Sequence, residues 1–142
     1  MARAQERRAA IFALYQQESS GRELEAVLEE VPSAFARSLA RAVSERQAEL
    51  DALIERHARG WALQRLHPLE RAILRVALLE ITAPELPGAR EPIPPEGAIE
   101  EAVRCAKTYC EAKAPAFING ILDAAWREVR ENGAVQESGA EQ

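Results

Sequence analysis

Pro68-Leu69-Glu70-Arg71-Ala72-Ile73-Leu74-Arg75-Val76-Ala77-Leu78-Leu79-Glu80-Ile81-Thr82 is the stretch that decides how this chain folds. Its apolar residues, Ile73, Leu74, Val76, Ala77, Leu78, Leu79 and Ile81, leave almost no polar face on a helix. Such a helix is buried at the centre of a bundle or partly covered by a partner. Pro68 suits its first turn, where a missing N–H costs nothing.

The flanking sequence supplies helices to surround it. A first helix is expected from about Ala4 to Gln17, with Ala10, Ile11, Ala13, Leu14 and Tyr15 inward, stopped by Ser19-Ser20-Gly21. A short helix from Arg22 to Val31 ends at Pro32. Ser33 then caps a long helix to about Ala58, striped by Leu39, Val43, Leu50, Leu53 and Ile54, with Gly60 as its C-terminal cap. Beyond the central helix, six prolines or glycines between Pro84 and Pro95 make a stiff, extended loop. A fifth helix covers about Glu96 to Ala112, and a sixth opens at Pro115 and runs to about Glu131. The Gly/Glu/Gln-rich segment 132–142 reads as a disordered tail, leaving 1–131 as a single domain.

Composition agrees. Hydrophobic residues are 47% of the 142 but aromatics only 5%, so alanine and leucine do the packing, and the fold class is all-α. The net charge of −5 excludes a basic coat of the kind that binds nucleic acid wholesale, while allowing a local basic patch. Lys107 and Lys113 are the only lysines, so the basic charge is nearly all arginine, whose planar fork suits phosphates and base edges. The sequence carries no apolar run long enough for a membrane span and no signal-peptide hydrophobic region. Cys105 and Cys110, five apart on a helix, face different ways and are read as reduced thiols in a cytoplasmic protein.

Catalytic chemistry has no foothold in this pattern. His57 and His67 lack the i, i+4 spacing of a metal pair, and no phosphate loop or nucleophile elbow is present. The expectation is a binding protein, not an enzyme, with no cofactor and no metal. Two features could bind a ligand. Arg3, Arg7 and Arg8 begin the first helix, where three guanidinium groups on adjacent turns could hold phosphates and stack on unpaired bases; a solvated, fraying terminus is the plain alternative. Lys113, Phe117 and Asn119 form the second, with Phe117 read either as a stacking platform or as core, and Asn119 as a reader of base edges. Gly120 sits badly inside a helix, which implies close packing by another helix or close approach by a ligand.

The order of the segments carries a resemblance. Arg7-Arg8-Ala9-Ala10-Ile11-Phe12-Ala13-Leu14-Tyr15-Gln16, the run from Arg59-Gly60-Trp61 to Glu80, Ile93-Pro94-Pro95-Glu96-Gly97-Ala98-Ile99-Glu100-Glu101-Ala102, and Phe117-Ile118-Asn119-Gly120-Ile121-Leu122-Asp123 together resemble the NusB family of bacterial transcription antitermination factors. The resemblance spans about Arg3 to Val129. Ala4, Gln5 and Glu6 dilute the family's arginine-rich start, and Lys113 stands where some relatives are acidic.

The resemblance implies two packed helical subdomains of about six to seven helices in all. It implies binding of the single-stranded boxA element of ribosomal operon leader RNA together with NusE, a small-subunit ribosomal protein, in the RNA polymerase antitermination complex. On this chain the RNA contacts would fall on Arg3, Arg7, Arg8, Lys113, Phe117 and Asn119. The NusE contact would fall on Glu70, with Arg71 beside it at the rim, on a surface away from the arginine cluster. Two other roles share the resemblance: an accessory domain of an rRNA methyltransferase, and a helical scaffold forming a homodimer that buries the arginine face.

Overall fold

In a computed structural model of the chain, which describes the backbone of residues 3–140 and side chains through residue 133, the central segment is the hub of an all-helical fold. Seven α-helices are present among the described residues: α1 (Arg3–Ser20), α2 (Leu24–Leu28), α3 (Ala34–Glu45), α4 (Gln47–His57), α5 (Pro68–Thr82), α6 (Pro95–Tyr109) and α7 (Ala114–Ala140). Helix α5 packs against α1, α3, α4, α6 and α7. Helices α1–α3 form one subdomain, α4, α6 and α7 the other, and α5 is shared between them.

Twelve consecutive-register positions of α5 from Leu69 to Ile81 are buried, Glu70 alone excepted. Ile73, Leu74, Leu78 and Leu79 have no accessible surface, so truncating any one to alanine should cost about 2–5 kcal/mol. The chain itself covers this helix. The expectation that a partner protein covers part of its apolar surface is therefore corrected: only the first turn and Thr82 at the other end reach the outside.

Local signals act as their chemistry requires. Ser33 accepts a hydrogen bond from the Ala36 N–H at 3.1 Å and caps α3. His67 caps α5, its Nδ1 accepting from the Leu69 N–H at 3.1 Å. Gly60 takes the left-handed conformation (φ +79°) just after α4.

The single long helix expected between Ser33 and Ala58 is broken at Arg46 (φ −108°, ψ 14°), whose N–H reaches the carbonyls of both Ala42 and Val43. No proline or glycine marks the site. Packing is the reason: α3 lies on α1 and α5, whereas α4 lies on α5 and α7, and one straight helix could not serve both. The other difference is at the C-terminus, where α7 continues to Ala140 through most of the segment read as a disordered tail; Glu141 and Gln142 lie outside the described residues. Among the described residues no helix is long and apolar enough to cross a membrane.

Candidate nucleic-acid interface

The three arginines of α1 do not act as one cluster. Arg7 is buried, 8% exposed, and its Nε donates to both carboxylate oxygens of Glu80 on α5 at 2.9 and 3.0 Å. Burial pushes the Glu80 carboxyl above the usual glutamate range, and the Arg7 hydrogen bond and charge oppose that rise. Arg7 is thus a buried counter-ion, and its expected role as a phosphate ligand is corrected. Arg3, one turn earlier on the same face, has its guanidinium 3.8 Å from the centre of the Phe35 ring, which Arg7 also faces at 5.8 Å, and 3.3 Å from the Glu6 carboxylate. Arg8 turns toward α6, where it shares a small cavity with Glu101 and Cys105, and it makes no ion pair among the described residues. Burial raises the Cys105 thiol to about 11, with the Arg8 charge pulling the other way.

One turn after Arg8, on the same face of α1, Phe12 meets Tyr109 edge to face with ring centres 4.9 Å apart. Tyr109 ends α6 and forms a wall of an open cleft of about 590 Å³. Trp61, Arg65, His67, Lys113 and Phe117 line it as well. Trp61 and Phe117 contact each other with centres 6.1 Å apart, and Trp61 and Tyr109 remain 53% and 46% exposed. Arg65 and Lys113 are exposed and have no carboxylate partner among the described residues. His67 is fixed at the cleft by its capping bond and by stacking on Tyr15, 6.1 Å between ring centres. Exposed aromatic faces beside unpaired cations can stack unpaired bases and hold the phosphates that flank them.

Lys113 and Phe117 are therefore brought together, one turn apart at the start of α7, and Phe117 is half-buried. Asn119 is not. It lies two residues further on, outside the cleft, on the exposed face of α7 that also carries Gly120. Nothing lies within 4 Å of a methyl group built on Gly120, so close helix packing does not explain that glycine. Sequence reasoning missed Trp61, Arg65 and Tyr109. The available signal was a tryptophan directly after a helix-ending glycine, flanked by Arg59 and Arg65.

Glu70 lines the same cleft, half-buried, away from Arg3 and Arg7 but alongside Lys113 and Phe117. Arg71 does not stand at a rim. It is 9% exposed, donates to the carbonyls of Leu66 at 2.7 Å and Leu63 at 3.2 Å, and pairs with Glu18 of α1. Its expected place at a partner surface is corrected: it ties the loop bearing Trp61 and Arg65 to the body of the protein. Arg75 beside it forms a two-pronged pair with Asp51 of α4 at 2.7 and 3.0 Å.

Six helices around one buried helix, with aromatic rings and unpaired cations gathered at an open cleft, define a helical binding module. A family model described as the NusB family matches residues 4–127, and the chain belongs to that family. A transcription antitermination protein NusB from Frankia casuarinae is 42% identical over 90 residues, which cover 63% of this chain and 62% of that protein. This chain therefore spans less than two thirds of that relative's length. Among solved structures, T. maritima NusB superimposes with a TM-score of 0.78 at 33% identity, covering 90% of this chain and 92% of the other. A structure of the antitermination factors NusB and NusE in complex with dsRNA matches with a TM-score of 0.70 at 26% identity, covering 90% and 99%.

Proposed function

We propose that this protein is a transcription antitermination factor. It binds single-stranded boxA-type leader RNA of ribosomal operons together with NusE, in the cytoplasm, and does so by binding and not by catalysis. The observation that carries the reading is the cleft: Trp61, Tyr109 and Phe117 offer aromatic faces, and Arg65 and Lys113, though Glu70 and Glu111 also line it, form no ion pair among the described residues. The contact of Phe12 with Tyr109 joins that cleft to the face of α1 bearing Arg8, which gives an RNA strand a path from α1 to the start of α7. Arg3 serves as an outlying phosphate contact. Stacking faces of this kind favour unpaired bases over a duplex, whose bases are already stacked. Glu70, on the first turn of α5 at the cleft's edge, is the proposed contact for NusE; that a similar NusB was solved together with NusE and dsRNA supports such a partner in general.

Titration of a boxA-type single-stranded RNA, with and without purified NusE and with the particle mass recorded, tests this reading. Binding that duplex RNA of the same sequence competes for poorly, and that NusE strengthens, is the expected result. A stable homodimer with no measurable RNA binding would instead favour the scaffold role.

A further inference from the structure

The first turn of α1 carries a device that the RNA path alone does not require. Glu6 is a tethered carboxylate: one oxygen accepts from the Ser33 hydroxyl, and the other faces the Arg3 guanidinium at 3.3 Å. Ser33 is itself fixed as the cap of α3 through the Ala36 N–H. The Glu6 side chain is only 16% exposed, whereas that of Arg3 is 44% exposed. Meanwhile the centre of the Arg3 guanidinium lies over the Phe35 ring, at the start of α3, 3.8 Å from the ring centre, and its N–H fork is the part that can take an anion. That fork already has one.

We propose that Glu6 is a fixed counter-charge that sets how strongly the α1 surface holds RNA. This rests on the reading of Arg3 as a phosphate contact. A freely solvated glutamate would swing away from an arriving phosphate. Glu6 is anchored to the α3 cap, so the phosphate must share Arg3 with a carboxylate that stays in place, and the like charges repel. The exchange is favourable only where RNA gains contacts elsewhere along the path, which makes Arg3 respond to a fully seated strand and weakly to any passing polyanion.

Glu6→Gln separates charge from structure, because the amide oxygen still accepts from Ser33 while the negative charge is gone. The measurement is RNA affinity across a salt series with a boxA-type single-stranded oligonucleotide, for wild type, Glu6→Gln, Arg3→Ala and the double variant. Glu6→Gln should bind about two- to five-fold more tightly at low salt, the equivalent of an exposed ion pair. The gain should vanish at high salt, and the log–log salt slope should steepen by up to about 0.7, one phosphate on a single strand. In the Arg3→Ala background the gain should disappear. Equal or weaker binding by Glu6→Gln, with Arg3→Ala still weakening binding, overturns the counter-charge and leaves the RNA path standing. No effect of Arg3→Ala on affinity or slope overturns the phosphate role of Arg3 itself.

Discussion

Arg7→Ala distinguishes a buried counter-ion from an RNA ligand more sharply than any other single substitution. The Arg7–Glu80 pair lies between α1 and α5 with side chains 10% and 5% exposed, so solvent screens it little. Removing the guanidinium leaves Glu80 buried without its partner, which should cost about 3–5 kcal/mol of folding stability at neutral pH. In urea unfolding followed by circular dichroism this is a fall in midpoint of about 2 M, for a slope near 2 kcal/mol/M. The cost should depend on pH. Burial holds the folded-state Glu80 pKa above its unfolded value, so the folded protein keeps the proton longer and this group's contribution to stability falls as pH rises through that range. Without Arg7 the folded-state pKa climbs further. Acidification into the raised range where Glu80 takes up a proton should therefore return part of the loss, and the gap between variant and wild type should narrow as pH falls. RNA affinity of the folded variant should stay close to wild type. A variant with an unchanged urea midpoint and weakened RNA binding would refute the reasoning and make Arg7 a phosphate ligand.

Further outcomes follow from other parts of the molecule. Gly120→Ala should raise stability by up to about 1 kcal/mol in thermal unfolding, since the helix gains alanine in open space; a loss would mean that something packs there. Phe117→Ala should weaken RNA binding by about 1–3 kcal/mol, with a smaller stability loss than a fully buried phenylalanine would show, as read by titration and melting of the same samples. Arg71→Met should lower the unfolding midpoint, because the carbonyls of Leu63 and Leu66 and the Glu18 carboxylate lose their donor; wild-type stability would return Arg71 to a surface role. Both thiols are held above their ordinary range by burial, but Cys110 is half-buried and Cys105 buried, so a thiol reagent at mildly alkaline pH should modify Cys110 first.

What could be read from the sequence was whatever is written locally. The apolar run from Ile73 to Ile81 announced its own burial, Ser33 and Gly60 marked helix ends, and the stripe Ala10, Ile11, Ala13, Leu14 gave the inner face of α1. The break at Arg46 was not legible, since no residue there disfavours a helix and only the packing of α3 and α4 against different neighbours demands it. The arginines misled for the same reason. Spacing shows Arg3, Arg7 and Arg8 at the start of one helix, but not that Glu80, 73 residues away, takes Arg7 into the interior, or that Glu18, 53 residues away, does the like for Arg71. Lys113 and Phe117 are close in sequence, one helical turn apart, so reading that segment is enough to name both. Trp61 and Tyr109, which complete the same cleft from a loop and from the end of α6, are joined to them only by the fold.

The central claim, that unpaired RNA bases enter the cleft, is tested most directly at Trp61. In a Trp126→Phe variant Trp61 is the only tryptophan, and it is exposed at the cleft's mouth against Phe117. Titration with a boxA-type single-stranded RNA should quench its fluorescence in step with binding measured independently on labelled RNA, and added salt should reverse both together. RNA that binds with full affinity while Trp61 emission stays unchanged would contradict the account.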